Sequence, residues 1–482
     1  MRLNKQQLEI DKTFRETNKN IMVRATAGAG KTSTLVALCE NISKIKKALF
    51  LAFNNSIVKE LQERLPNHVK CSTLHSQGVK YIYRYYGTAK LVNLKSFQFS
   101  DKHIKKIKKV KNKFATQLKI EEILQFTRMN MISDYNLESV LEVCDIYGIN
   151  ASNEVIEASI ATFKDMDSYN NKKSHKEFQM DFVDMVYLPA SKDFLKTEKF
   201  DYVMVDEFQD MSMMGIALIE KLVKEGGKTV FVGDKNQMLY LFAGSSMNAY
   251  DKGLNRPNTV ELPLSVTYRC AKNIVDEARK IYPVIESHPK AEKGIVRGGS
   301  ELEIKEGDMV LCRENAPLME LCGKLIDRGL KVSVYGKSIE NSAKSIVKKY
   351  KGHSINTFLD KIWDELLDVQ MKLQRRGVSK PERHKSSIAV QERNEILDIL
   401  SEKVNTVSEL GELINEIFCE KKESVRLMSI HVSKGLESER VFFLKQNLIP
   451  HKYAESPEEM VQEQNLKFVA ITRAKKELVY ID

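Results

Sequence analysis

The chain of 482 residues contains no apolar stretch approaching the roughly 20 residues that a membrane-spanning helix needs. Its opening segment, MRLNKQQLEIDK, is polar and lacks the apolar centre of a secretory signal. There is no CxxC pair either. The seven cysteines, at 39, 71, 144, 270, 312, 322 and 419, are odd in number and scattered. That pattern excludes a disulfide framework and a zinc site, and fits reduced thiols in a reducing compartment. Internal repeats, low-complexity tracts and a nuclease-like carboxylate cluster with its own domain are also missing. The expected location is the cytoplasm or the nucleoid within it, a phage-infected host cell included, with no membrane partner.

Acidic residues are in deficit. Lys and Arg number 76 against 65 Asp and Glu, a formal charge of +11 with a pI of about 9.0. This excess suits a polyanion such as nucleic acid, although many basic proteins bind nothing in particular. Hydrophobic content of 42% and charged content of 29% are ordinary for a globular chain. The length leaves room for about two to four domains and more than one sizeable core.

What is present begins with NIMVRATAGAGKTSTLVALCENI, residues 20–42. Ile21-Met22-Val23 predicts a short strand, and Thr32 to Ile42 a helix with Leu35, Leu38 and Cys39 on one side. Between them lies the loop Ala25-Thr26-Ala27-Gly28-Ala29-Gly30-Lys31-Thr32, followed by Ser33. Small residues let successive backbone N–H groups turn inward toward an anion, and the helix N-terminus adds its positive dipole end. Lys31 can reach β- and γ-phosphates, and the Thr32 hydroxyl can ligate Mg²⁺. The strict phosphate-loop pattern opens with Gly; a small residue such as Ala25 still fits.

The second segment is FDYVMVDEFQD, residues 200–210. Tyr202-Val203-Met204-Val205 reads as a buried strand of a parallel sheet. It ends in adjacent carboxylates, which repel each other and lose solvation together unless a cation or a proton-transfer task compensates. With the phosphate loop upstream, Asp206 is placed to hold the Mg²⁺ of a bound nucleotide, and Glu207 to orient and deprotonate the attacking water. Asp210 has no comparable role and is left to hydrogen-bond a neighbouring loop. Taken singly, each segment has a bland alternative: a glycine-rich turn entering a helix, and an unrelated acidic strand end. Together they predict an NTP-hydrolysing site.

Further blocks narrow the class. VDEFQD followed by VFVGDKNQMLYLFAGS (230–245) resembles the UvrD/Rep-type superfamily 1 DNA helicases. The resemblance extends through LNKQQ (3–7), FLAFNNSIVKEL (50–61), STLHS (72–76), LSVTYRC (264–270), LMSIHVSKGLESERVFFL (427–444) and EQNLKFVAITRAKKELVYI (463–481), in the family's order. The wording of LAFNNSIVKEL and FVAITRAKKEL leans toward the F-box-helicase-like branch, without an apparent F-box.

The resemblance implies an α/β fold of two RecA-like P-loop cores with parallel sheets, each carrying a mainly helical insertion. It implies ATP and Mg²⁺ as cofactors, with Arg269 and Arg473 approaching the γ-phosphate from the second core. Gln237 would sense that phosphate and link it to DNA. Gln7 would read the adenine edge, Tyr268 would stack on its ring and Glu437 would meet the ribose. Core packing of Tyr268 and a structural salt bridge of Arg269 are the competing accounts.

For the DNA track, the resemblance implies Phe53, Tyr240 and Phe242 as aromatic platforms for bases. Asn54, Thr73, His75 and His431 would lie along the strand and its backbone. Two departures stand out. LYLFAG replaces the common IYGWRG, so Ala243 loses an arginine, and Ser33 stands where an arginine often follows GKT.

The blocks divide the chain into a first core (1–79 and 178–265) with a basic helical insertion (80–177), and a second core (266–348 and 422–482) with a short helical insertion (349–421). In the first insertion, DKHIKKIKKVKNKFATQLK (101–119) carries Ile104, Ile107, Val110, Phe114 and Leu118 at near-helical spacing, leaving lysines on the other faces. It reads as either a solvated helix face or a basic wall beside DNA. VLCRENAPLMELCGKLIDRGLKVSVYG (310–336) predicts strand, helix and strand inside the second core.

The expected activity is an ATP-dependent DNA helicase moving along single-stranded DNA, with 3′-to-5′ direction implied by the resemblance alone. Its partners would be single-stranded DNA and single-strand/duplex junctions, engaged by a monomer. The second insertion is far shorter than the matching subdomain of large family members. That keeps open a translocase that strips proteins without unwinding. An ATP-gated binding protein that remodels partners and hydrolyses slowly is the alternative from another class.

Overall fold

The structure, a computed structural model, describes residues 3–482 apart from 108–109, 111–112, 240–246, 376–379, 420, 422, 453 and 455. The chain forms two compact units, residues 1–26 with 30–265, and residues 27–29 with 266–482.

Each unit is built on a six-stranded sheet in which every neighbouring pair is parallel. Across the first sheet the order is Val69–Thr73, Ala48–Ala52, Phe200–Val205, Val223–Gly233, Asn20–Ala25 and Thr259–Leu264. Parallel pairing needs crossovers that cover both faces, so the strands read as continuous apolar runs instead of alternating ones. Ala48–Ala52 (ALFLA) is buried at all five positions, and Phe200–Val205 ends in three buried residues. The helix Lys31–Glu40 follows Asn20–Ala25, with Leu35, Leu38 and Cys39 fully or almost fully buried. The α/β architecture expected from the sequence is thereby seen, as two RecA-like cores.

The first insertion holds the helices Ser96–Ile104, Lys113–Met129, Leu137–Ile146 and Asn153–Asn170, with a small ladder of Ala89–Leu91 on Phe178–Met180. It has apolar clusters of its own, one around Ile123, Val140, Val143 and Ile156, another around Ile104, Ile120, Leu124 and Met166. The near-helical spacing over 101–119 does not form one helix. One helix stops at Ile104, Lys105 and Lys106 form a turn, and the next begins at Lys113. The second helix buries Gln117, Ile120, Ile123 and Leu124, which leaves Phe114 and Leu118 exposed. Packing, not the spacing of five apolar residues, sets the phase.

In the second sheet the order is Ile295–Gly298, Ala474–Ile481, Ser438–Leu444, Met309–Cys312, Val425–Ser429 and Val332–Tyr335. Strand, helix and strand over 310–336 are present as Met309–Cys312, Asn315–Asp327 and Val332–Tyr335. The helices Ile355–Arg375, Lys380–Ser401 and Val407–Ile417 make up most of the second insertion. Among the described residues they share the core of the sheet. Phe358, Ile362, Leu397, Leu410 and Ile414 share one apolar cluster with Val310, Leu427, Phe442 and Val479 of the sheet.

All seven cysteines are free, five of them buried and Cys419 exposed. Among the described residues no helix is long and apolar enough to cross a membrane.

Candidate functional site

In parallel sheets the strand C-termini all emerge on one edge, where loops can converge. On the first sheet that edge carries the loop after Asn20–Ala25, the acids after Phe200–Val205 and the GDKNQ turn after Val223–Gly233. Ala25, Thr26, Ala27 and Ala29 are buried, and Gly28 and Gly30 take φ of 69° and 80°. Side chains avoid that left-handed region, so glycine at both positions lets the loop curl toward the helix Lys31–Glu40. The Thr26 hydroxyl is buried with no hydrogen-bond partner among the described residues. Such an orphan within a loop of this shape fits an oxygen-rich ligand.

Lys31 lies 3.0 Å from Glu207 Oε1 and donates to Oε2 at 3.1 Å. Thr32 Oγ1 donates to Asp206 Oδ2 at 2.5 Å. Burial works against the charge of Lys31, yet Glu207, Asp234 and Asp206 outweigh it and hold its pKa above the ordinary value. Burial, then the neighbouring Glu207, pushes Asp206 up to about 6 against the pull of Lys31 and Thr32. A carboxyl so placed gains from an added cation. Thr32 and Asp206 also match the hard oxygen donors of Mg²⁺, which takes one or two protein ligands and fills its shell with phosphate and water. No cluster of three or more His, Cys, Asp and Glu suited to a metal occurs among the described residues.

Glu207 itself has φ 51° and ψ 43°, a left-handed conformation that costs a non-glycine residue about 1–3 kcal/mol and marks functional sites. Its N–H donates to Asp206 Oδ1 at 2.9 Å. Two partners here escaped the sequence reading. Gln209 Nε2 donates to Glu207 Oε2 at 2.5 Å, and Gln209 Oε1 accepts from the Asp234 N–H at 2.9 Å. Asp234 is wholly buried and accepts from Gln237 Nε2 at 2.6 Å. Both lie inside the motifs DEFQD and GDKNQ, each directly after an apolar run, but that the two strands are neighbours is set by the fold.

Gln7 is 2% exposed, and its Nε2 donates to Thr34 Oγ1 at 2.9 Å while its Oε1 accepts from the Asn4 N–H at 3.0 Å. Ser33 Oγ accepts from Arg64 Nη2 at 3.4 Å. Asp210 is partly buried in the turn beyond Glu207.

The second unit collects Arg269, Glu437 and Arg473. Arg269 Nε donates to Glu437 Oε2 at 2.6 Å, and Nη1 to the Thr472 carbonyl at 3.3 Å. Glu437 also pairs with Lys475 at 2.7 Å; burial opposes its charge, but Lys475 and Arg269 keep its carboxyl below the usual range. Arg473, 1% exposed, donates from Nε to the Val469 carbonyl at 3.1 Å and from Nη1 to that of Leu436 at 3.2 Å. The Tyr268 ring is half exposed and lies 4.9 Å from that of His288.

Of the DNA candidates, Phe53, Asn54, Thr73 and His75 come together, because Ala48–Ala52 and Val69–Thr73 are neighbours with Ala52 opposite Thr73. Phe53 is 45% exposed. Asn54 and Thr73 cap helices, accepting from the Ile57 and Ser76 N–H groups at 2.9 and 3.2 Å. His75 stacks on Phe182 at 4.2 Å, and burial lowers its pKa to about 4. His431 is in the second unit, its pKa also lowered to about 4, by burial and then Arg313. Tyr240, Phe242 and Ala243 lie outside the described residues.

Comparison with known proteins agrees with this chemistry. Residues 3–257 match the UvrD/REP helicase N-terminal domain, more than half of the chain. A probable DNA helicase II homolog of Mycoplasma genitalium is 25% identical over 296 residues, covering 56% of this chain and 42% of that one. The ATP-dependent DNA helicase Rep of Buchnera aphidicola is 25% identical over 292 residues, covering 55% and 42%. F-box DNA helicase 1 of Gallus gallus is 22% identical over 502 residues, covering 96% and 47%. The chain thus spans less than half the length of these curated relatives. With the loop, the paired acids and the matched span in agreement, the chain belongs to the UvrD/REP helicase family.

Proposed function

We propose that the chain is an ATP-dependent DNA helicase that moves along single-stranded DNA, 3′-to-5′, as a monomer acting at single-strand/duplex junctions. The observation that carries this reading is the convergence of Lys31, Thr32, Asp206 and Glu207 on one sheet edge. Thr32 and Asp206 would hold Mg²⁺, which supplies charge neutralisation at the phosphates. Lys31 exchanges Glu207 for the β- and γ-phosphate oxygens. Glu207, released from that ion pair, orients the attacking water and accepts its proton. Arg269 and Arg473 stabilise the charge that spreads over the transferred phosphoryl group, a contribution of roughly 10³–10⁵ in other phosphoryl-transfer systems. Gln7, Tyr268 and Glu437 would receive the adenine and ribose.

On the DNA side, Phe53 with Tyr240 and Phe242 would stack on bases. Asn54, Thr73, His75 and His431 would lie along the backbone. The test is ATP turnover with and without single-stranded DNA at two salt concentrations. The wild type is expected to be strongly stimulated, less so at high salt because cations track the phosphates. Lys31→Ala and Glu207→Gln are each expected to lose at least about 100-fold. Wild-type turnover in either variant refutes the assignment.

A second reading is a translocase that displaces bound proteins without separating strands. It is favoured by the second insertion, whose helices are absorbed into the core of the second sheet. Forked-duplex unwinding measured beside streptavidin displacement separates the two.

A further inference from the structure

We propose that Gln209 is the positioning residue of the hydrolytic centre: its amide N–H group fixes the Glu207 carboxylate, and its carbonyl fastens that carboxylate to the end of the neighbouring strand at Asp234. The inference deepens the hydrolase reading above and rests on it.

Both ends of the Gln209 amide are used, at 2.5 Å to Glu207 Oε2 and 2.9 Å from the Asp234 N–H, in a side chain only 1% exposed. A buried amide bonded at both ends has one orientation, so the carboxylate it holds has few. The turn that carries it is fixed independently. Phe208 is wholly buried, stacks on Phe231 at 4.2 Å with planes 7° apart, and runs so close to Gly253 that a Cβ there would sit 2.3 Å from its ring. The approach of Gln209 to the adjacent strand needs an empty space at Gly233. A Cβ at that position would lie 2.9 Å from Gln209 Oε1 and 3.0 Å from its N.

Lys31 holds the same Glu207 carboxylate, yet it must leave for phosphate when nucleotide arrives. Gln209 carries no charge and has no phosphate to follow, so it is a partner that stays. Through Asp234, which accepts from Gln237 Nε2 at 2.6 Å, the carboxylate is tied to the GDKNQ turn. A displacement of that turn is therefore a displacement of Glu207. A reacting group misplaced by about 1 Å costs about 100-fold in rate, which makes this tie a means of setting hydrolysis by the position of the turn.

The experiment uses the full chain with single-stranded DNA and three variants: Gln209→Met, Gln209→Glu and Gly233→Ala. Each is expected to lower kcat about 100-fold, while KM for ATP and equilibrium binding of a fluorescent ATP analogue change by less than about threefold. The double variant Gly233→Ala with Gln209→Met is expected to fall within about threefold of either single one, as for two disruptions of one contact. Gln209→Glu keeps the acceptor for the Asp234 N–H, so it carries the test if Gln209→Met melts below the assay temperature. The proposal is overturned if folded Gln209 variants keep kcat, or if they lose nucleotide binding in parallel with turnover. Lys31→Ala is assayed alongside. If it keeps wild-type turnover, the hydrolase reading itself falls; if it is inactive while the Gln209 variants are not, only the positioning role falls.

Discussion

Lys95→Met should destabilise the first unit far more than a surface lysine substitution could. Lys95 and Asp184 are wholly buried, with Nζ 2.7 Å from Asp184 Oδ2 and 2.7 Å from Asn170 Oδ1. Arg128, 1% exposed, reaches Asp181 Oδ2 at 2.8 Å and Asp184 Oδ1 at 3.0 Å. Two cations thus balance two carboxylates out of water. Removing Lys95 leaves Asp184 to share Arg128 with Asp181, and an uncompensated buried charge costs about 3–5 kcal/mol. At about 2–4 °C per kcal/mol for a unit of this size, its melting transition should fall by about 6–20 °C. Differential scanning calorimetry of the full chain reads this directly. Lys95→Met combined with Asp184→Asn restores neutrality and should melt above the single variant. A Lys95→Met transition within about 1 °C of wild type would refute the reasoning. So would a double variant no better than the single one.

Three further outcomes are expected. Phe53→Ala should weaken binding of a labelled single strand by about 1–3 kcal/mol while leaving DNA-free ATP turnover unchanged; equal affinity by fluorescence anisotropy would remove it from the DNA track. His75 has its pKa lowered from 6.5 to about 4, so between these values the unfolded chain takes up a proton that the folded one refuses. Stability is therefore lost as pH falls through that window, by about 3 kcal/mol from this residue. His75→Phe keeps the stack on Phe182 and should shrink the drop in melting temperature between pH 7 and pH 5; an unchanged pH slope contradicts it. Gly253→Ala should cost about 1–3 kcal/mol by driving a methyl into the Phe208 ring, seen as a lower denaturation midpoint.

The parts of this molecule that were legible in the sequence are local. The loop from Ala25 to Thr32 and the run ending in Asp206-Glu207 each fit within about a dozen residues, and parallel strands announce themselves as unbroken apolar runs. The bond from Gln209 to the Asp234 N–H was not legible, since it joins two strand ends whose adjacency no periodicity reveals. The Lys95–Asp184 and Arg128–Asp181 pairs are separated by 89 and 53 positions and meet only through the fold. In the lysine-rich segment the apolar spacing suggested a helix, whereas one helix ends at Ile104 and the next, packed through Ile120 and Leu124, begins at Lys113. Asn54 and Thr73, expected along the DNA, are helix caps in the fold, a local use that the motif wording did not announce.

The described helices between residues 355 and 417 place Phe358, Ile362, Leu397, Leu410 and Ile414 in the same apolar interior as the sheet they interrupt, which anchors that segment to the second unit. Trimming it away would strip part of the cover from Val310, Leu427 and Phe442, so the sheet depends on the segment that interrupts it to keep its own interior dry.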